Sequence, residues 1–372
     1  MTASAESTTV LVTGAMGQLG RRLVELLLRR GHRVVALDVP NEATRATAAD
    51  WARRLAGRGG LTTAFVDLLD ADGVNACLRE TRPSVVIHLA AIVSPPCYLN
   101  PRLARRVNVE GTRNIVRACL DWARDALFVE ASSSAVYGSR NPYRHPERIT
   151  PRTPVNPVEC YGEDKVAAEA LVADSGLRHA ILRLGGIISS DAVGKAGPEY
   201  FLLMRATPGD NRVHVIDVRD AAVAFANTVE RADAIDGKVL LIGGDDSCVL
   251  LQRDLEDDVM QALGLGRLGA SASLPGDPED DRGWGLTDWF DTRESQALLD
   301  YQRHRWDETL AGLAESQGRR RWLLRLLGPA VRAVFRGFLG AQRRWERRGP
   351  YADPWGLVAS KYGTEVLAPT RF

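Results

Sequence analysis

The sequence predicts an α/β protein built on a doubly wound parallel sheet, with a smaller interleaved C-terminal substrate lobe and a basic helical C-terminal extension. Three observations carry this. Apolar runs alternate with helical patterns as far as Leu184, as parallel βαβ units require. The first apolar run, Val10–Leu11–Val12, passes straight into TGAMGQLG (Thr13 to Gly20) and then into a helical pattern. Residues 319–348 hold ten arginines and one acid, Glu346, in a chain whose formal net charge is +1.

Taken in order, Thr9–Val12 is the first strand and residues 18–30 the first helix. Between them lie three glycines at spacing three. Gly14 can make a turn closed to residues with a side chain, Gly17 lets backbone approach a phosphate, and Gly20 lets the helix sit close on the sheet. The free N–H groups of the helix then face the anion, with Met16, Gln18 and Leu19 completing the cradle. Arg33–Leu37 is the second strand. Asp38 at its end can accept hydrogen bonds from adenosine ribose hydroxyls and repels a 2′-phosphate, which favours NAD over NADP. Arg45 nearby is the residue that could offset this preference.

A helix over 44–57 leads to the third strand, Leu61–Val66, whose end places Asp67 and Leu68 at the adenine edge. Helix 71–80 precedes the fourth strand, Val85–Leu89. There Ala90 and Ala91 let a dinucleotide lie against backbone, and His88, inside an apolar run, reads as a core histidine. Helix 99–124 carries Asn108. The fifth strand, Leu127–Ala131, delivers Ser132–Ser133–Ser134–Ala135–Val136–Tyr137–Gly138, a helix-capping turn or a source of a reactive hydroxyl. Helix 157–175 and strand Ala180–Leu184 complete residues 8–184 as the dinucleotide-binding domain. The pattern then loosens through 185–317, with strands Val213–Val218 and Lys238–Ile242 and helices over 219–231 and 248–263, so no clean boundary is expected.

Composition narrows the class. With 45% apolar and 26% charged residues the chain reads as globular. Its five cysteines are scattered and its six histidines lack ligand spacing, so reduced thiols and no metal site are expected. The N-terminus has no export signal pattern, which favours a cytoplasmic protein.

Tyr161 and Lys165 stand four residues apart at the start of helix 157–175 and so share one face. An ammonium beside a phenol favours phenolate, so Lys165 is expected to lower the Tyr161 pKa toward working pH. Tyr161 can then exchange a substrate hydroxyl proton while hydride moves to or from nicotinamide, and Lys165 can also bond the nicotinamide ribose.

TGAMGQLG, Asp38, Asp67–Leu68, HLAA (His88–Ala91), NVEGT (Asn108–Thr112), SSSAVYG and YGEDK, in this order, resemble the extended short-chain dehydrogenase/reductases, the NAD-dependent epimerase/dehydratase group, over about residues 8–250. The resemblance implies a Rossmann sheet, bound NAD, a Ser–Tyr–Lys active site and a homodimer through helices 99–124 and 157–175. It places the catalytic hydroxyl on Ser133, with Ser134 as runner-up, and makes Asn108 architectural or water-positioning. Sugar dehydratases of this group carry an acidic pair where this chain has Ser134 and Ala135, which disfavours dehydration. Nucleotide-sugar enzymes carry Asn where Gly186 follows Arg183, and Arg183 to His214 is short for their lobe. Arg183–Gly186 looks more like the steroid-dehydrogenase and flavonol-reductase branches.

Subtracting the extension and its neutral tail leaves residues 1–318 at about −8. Within 318–372, Pro329 is expected to divide a basic amphipathic stretch into two helices. That stretch reads equally as a helix docking on an anionic membrane through 319–348 and as one packing its apolar stripe on the body or on a second subunit. Nucleic acid is a poor fit.

The leading expectation is an NAD-dependent oxidoreductase interconverting a secondary alcohol and a ketone on an apolar small molecule. Its alternatives are a nucleotide-sugar epimerase and a non-enzymatic, dinucleotide-responsive docking protein. An apolar cleft at Ser133 and Tyr161, opening toward the C-terminal helices, would favour the first.

Overall fold

In the computed structural model, described for residues 7–55, 59–192, 203, 206–269, 272–345 and 349–368, seven parallel strands form the main sheet. They are β1 (Thr9–Thr13), β2 (Arg33–Asp38), β3 (Leu61–Phe65), β4 (Val85–His88), β5 (Leu127–Ser133), β6 (His179–Leu184) and β9 (Lys238–Ile242), in the order β3-β2-β1-β4-β5-β6-β9. The order reverses between β1 and β4, so the carboxyl ends of these strands flank a crevice, the usual ligand position of such a sheet.

Both faces are covered, which is why the strands read as near-continuous apolar runs. On one face Val10, Val12, Val34, Ile87 and Leu182 pack with α1 (Gln18–Arg29) and a later helix, Val218–Glu230. On the other, Leu11, Val35, Val86 and Phe128 pack with α3 (Ala71–Thr81) and α5 (Thr112–Trp122). Helix α2 (Glu42–Arg54) opens with a capping box between Asn41 and Thr44.

The single helix expected over 99–124 is α4 (Pro101–Arg105), a wide π turn at Arg106–Gly111, and α5. The wide turn carries Asn108, whose side chain is spent on the loop after β4. Next come α6 (Cys160–Ala173), β7 (Gly186–Ile188), β8 (Arg212–Asp217), α7 (Val218–Glu230), the short α8 (Ala232–Ile235) and β10 (Val249–Leu251). Strand β10 replaces the start of the helix expected from 248. Its three apolar residues pair antiparallel with β8 before α9 (Gln252–Ala262) begins. Strands β10, β8 and β7 form the smaller sheet. Since α7 and β9 return to the main sheet, the lobe is interleaved rather than contiguous.

Helices α10 (Arg293–Leu299) and α11 (Trp306–Ser316) lead to α12 (Arg320–Trp345). Pro329 lies inside α12 and does not divide it, contrary to expectation. The 264–268 segment is contacted from both sides of the proline: Arg321 and Arg325 lie beside Gly264, while Arg332 and Arg336 donate to the Leu265 and Leu268 carbonyls. The last described elements are α13 (Pro354–Tyr362) and a short 3-10 turn, Thr364–Val366. This last stretch is a strap. The Ala352 N–H donates to the Pro275 carbonyl and the Ala368 N–H to that of Val158, and Leu367 bridges Glu159. The ends of the basic segment at Glu346, Arg347 and Arg348 lie outside the described residues.

Candidate active site

The glycine loop sits where β1 meets α1. Gly14 has φ +62°, and a Cβ there would come within 2.9 Å of Ala90 backbone. At Gly20 a Cβ would come within 2.3 Å of the Gly14 carbonyl, so only glycine lets α1 pack this tightly. Gly17 caps α1 without any side-chain acceptor. The N–H groups of the first turn are therefore left facing the crevice, a ready site for a pyrophosphate.

Asp38 joins this loop. Its carboxylate accepts from the Met16 N–H at 2.8 Å and the Val39 N–H at 2.9 Å. Burial raises its pKa and these backbone donors partly offset the rise. The guanidinium of Arg45 lies 5.0 Å from the Phe65 ring centroid, over the third strand's end. Asp67 is exposed and its carboxylate accepts from the Leu69 N–H. Leu68 is buried, and its carbonyl accepts from Asn114. The Ala90 N–H donates to the Thr13 hydroxyl, with Ala91 following on the same partly exposed loop. Gln18 and Leu19 form the first turn of α1, with Met16 buried beneath. A free helix N-terminus, a side-chain-free approach at three glycines and a carboxylate beside the loop suit a dinucleotide.

Two strands across the sheet from β1, β5 brings Ser133 to the same edge. The Ser133 hydroxyl lies close enough to the Tyr161 phenol to favour its ionised form. Their meeting depends on Gly162, where a Cβ would stand 2.4 Å from the Ala135 carbonyl and push α6 off the serine turn. Ser133 Oγ also accepts from the Ala135 N–H at 3.2 Å, so capping and proximity to Tyr161 coexist. Ser134 is buried in the turn.

Burial is the largest influence on Tyr161 and raises its pKa, and the Lys165 ammonium pulls it back only in part. The expectation that Lys165 lowers this pKa toward neutrality is therefore corrected: in the free protein Tyr161 is a protonated phenol. Lys165 is itself buried, which works against its charge, yet Glu130 and Tyr161 hold its pKa above the ordinary value. Its Nζ donates to Glu130 Oε1 at 2.9 Å. Glu130 is wholly buried in the middle of β5, and its Oε2 has no hydrogen-bond partner among the described residues. Sequence reasoning missed this counter-ion. The available signal was a lone acid in an apolar central strand, which demands a buried partner.

Glu159, also fully buried, caps α6 by accepting from the Tyr161 and Gly162 N–H groups. Burial pushes its pKa up to about 7 despite those donors. Cys97 and Cys160 place their Sγ atoms 3.8 Å apart beside it, a cluster that the scattered cysteines of the sequence gave no sign of. Asn108 accepts from the Ile92 N–H and donates to the Ile92 carbonyl and to Asp164. It shapes the cofactor loop through this clamp. His88 bonds the Thr13 and Thr112 hydroxyls, and burial lowers its pKa to about 3, so it is a neutral core group.

The wall beyond Tyr161 is apolar. Tyr161, Ala135, Tyr98 and Cys97 share one buried cluster with Trp355, Val358 and Val366 of the strap, and Ile92, Leu203, Leu286 and Tyr362 pack against it. The Trp355 indole N–H donates to the Ser139 hydroxyl at 2.8 Å and to the Trp284 carbonyl at 3.1 Å.

Fold and site together set Ser133, Tyr161 and Lys165 at the same carboxyl edge of the sheet as the glycine loop. The profile of the NAD dependent epimerase/dehydratase family matches residues 10–243, and the chain belongs to that family. Among curated relatives, dTDP-4-dehydrorhamnose reductase of Streptomyces griseus is 34% identical over 214 residues, which is 56% of this chain and 58% of that protein. The 3 beta-hydroxysteroid dehydrogenase type 7 of Rattus norvegicus is 28% identical over 271 residues, covering 71% of this chain and 73% of its own length. Among solved structures, MoeE5 in complex with UDP-glucuronic acid and NAD superposes with a TM-score of 0.64 at 26% identity, covering 84% of this chain and 99% of that one. The first curated relatives are thus matched over little more than half their length.

Proposed function

We propose that the protein binds NAD and transfers hydride between it and a secondary alcohol or ketone on an apolar small molecule. The observation that carries this reading is the buried apolar cluster that joins Tyr161 to the C-terminal strap. In this reading the first turn of α1 holds the pyrophosphate and Asp38 the adenosine ribose. NAD supplies the hydride donor or acceptor. Ser133 holds the substrate oxygen. Tyr161, a protonated phenol in the free protein, gives its proton to that oxygen when a ketone is reduced; to take the proton of an alcohol it must first lose its own to solvent, which the positive charge of Lys165 favours. Lys165 carries positive charge beside Tyr161 and bonds the nicotinamide ribose.

The engagement of Arg140, Arg183 and Arg212 supports an apolar substrate over a diphosphate. Arg183 is forked onto Glu169 and donates to the Tyr137 hydroxyl. Arg140 pairs with Asp288 and Glu147, and Arg212 bonds backbone carbonyls and lies over Trp289. A side chain at Gly186 would meet Val215 only at ordinary contact distance, so nothing steric forbids the asparagine that is missing there.

The nucleotide-sugar epimerase reading is favoured by the UDP-sugar in the MoeE5 structure. Incubating the protein with NAD and a panel of hydroxysteroids and long-chain secondary alcohols, while following NADH absorbance, separates the two. NADH formation on an apolar alcohol, abolished in Tyr161→Phe with NAD affinity retained, is the expected result. Interconversion of UDP-sugars without NADH release would overturn it. Leu99 and Leu103, exposed beside α4, support a homodimer across α4, α5 and α6, which light scattering on the purified chain tests directly.

A further inference from the structure

An amphipathic helix on a protein surface ordinarily buries its apolar stripe and shows its charges to water. Helix α12 does the reverse. Arg321, Arg325, Arg332, Arg336 and Arg343 recur at spacings of four and seven, which is one face of a 3.6-residue helix. That face meets the body. Arg332 donates to the Leu265 carbonyl, Arg336 Nε to that of Leu268 at 2.8 Å, and Arg343 to that of Ala272. Gly328 and the buried Leu339 lie on the same side. At Gly328 a Cβ would stand only 2.9 Å from the Leu265 carbonyl, so the helix backbone lies close against this loop. The basic stripe that the sequence offered to an external anion is instead largely bound to main-chain carbonyls.

The opposite face is left to solvent and is apolar. Trp322 is 64% exposed, Leu326 62%, Leu327 57%, Val334 73% and Phe338 57%. No described helix is long and apolar enough to cross a membrane, so such a face can at most lie along one. Its rim is cationic: Arg319, Arg320 and Arg344 are exposed at the two ends, and residues 319–345 contain no acid. Two copies meeting through this stripe would bring those like charges together, whichever way the helices ran. An anionic lipid surface meets both features at once, taking the apolar stripe at the acyl boundary and the guanidiniums among its headgroups.

We propose that α12 docks the protein on an anionic bilayer surface through the face containing Trp322, Leu326, Leu327, Val334 and Phe338. This goes beyond the hydride-transfer reading and stands whether or not that reading does. The arginine face fastens the helix to the body, and the apolar face fastens the body to lipid.

The test uses the full-length protein and sedimentation with vesicles of phosphatidylcholine alone or with one-third phosphatidylglycerol. Each interfacial arginine contributes about fivefold to anionic-lipid affinity, so three give roughly a hundredfold preference for the mixed vesicles. Leu326→Asp combined with Val334→Asp, both at exposed positions, is expected to abolish binding while leaving far-ultraviolet circular dichroism and NAD affinity unchanged. Arg319→Gln with Arg320→Gln and Arg344→Gln is expected to remove most of the preference and little of the residual binding. Trp322 emission should shift to the blue with lipid. Wild-type protein remaining in the supernatant with the mixed vesicles would overturn the proposal. So would a soluble dimer that the two Asp substitutions convert to monomer, because the stripe would then belong to a second copy.

Discussion

The ion pair between Lys165 and Glu130 invites the most direct test, because it needs no knowledge of the substrate. At 2.9 Å and an effective dielectric near 20, the gross attraction is about 6 kcal/mol. Dehydrating both groups cancels much of that, but removing one partner strands the other charge in a dry core, which costs about 3–5 kcal/mol. Unfolding a chain of 372 residues carries an entropy of about 0.8 kcal/mol per degree. Glu130→Leu and Lys165→Met should therefore each lower the melting temperature by about 4–6 °C. The double variant, with two apolar side chains in place of the pair, should recover most of the loss. Differential scanning calorimetry of the four proteins at pH 7 closes the cycle. Additive losses in the double variant, or single variants melting within about 1 °C of wild type, would refute the assignment of Glu130 as the counter-ion.

Three further outcomes are expected. The folded pKa of Glu159, about 7, lies above the usual carboxylate value. Its stabilising contribution is thus complete below about pH 4.5 and is lost as pH rises through 7, on the order of 3 kcal/mol. Glu159→Gln should flatten the fall in denaturation midpoint between pH 5 and 8, and an unchanged slope would refute that source. Asp38→Ala removes a charged acceptor beside the glycine loop and should weaken NAD binding by about tenfold or more while narrowing the gap to NADP. Calorimetric titration of both cofactors reads the two affinities, and an unaltered ratio counts against the ribose role. Trp355→Ala deletes a buried indole at a cost of about 3–5 kcal/mol, so it should lower the melting temperature by about 4–6 °C and expose the strap to limited proteolysis. A strap equally resistant in the variant would show that the indole does not hold it.

What the sequence made legible is what lies close along the chain. The glycine spacing, Asp38 at the end of β2, and Tyr161 one helical turn before Lys165 are local patterns, and the structure sets them on one edge of a sheet whose strand order follows from βαβ alternation. Glu130 and Lys165 are 35 residues apart, and Cys97 and Cys160 are 63. Only the folded sheet brings them together. The Tyr161 pKa was misjudged for the same reason. Spacing shows the ammonium beside the phenol, but neither the depth of burial nor the Glu130 carboxylate that shares that ammonium. The orientation of α12 was illegible in another way. Periodicity divides a helix into two faces without saying which one meets the body, and here the carbonyls of Leu265, Leu268 and Ala272 take the arginines.

The apolar wall of the site also bears on how far its relatives can guide the choice of substrate. The family profile ends at residue 243, whereas Leu286, Trp355, Val358, Tyr362 and Val366, which pack with Tyr161 or against its cluster, all lie beyond it. The residues that hold cofactor and proton donor in the proposed reading all lie within the matched stretch. In that reading, the half of the site that meets the rest of the substrate includes these later residues, where the strap after α12 packs beside Tyr161. Substituting strap residues should accordingly change which alcohols are accepted while leaving NAD affinity untouched, and a strap variant that lost cofactor and substrate binding together would contradict this division.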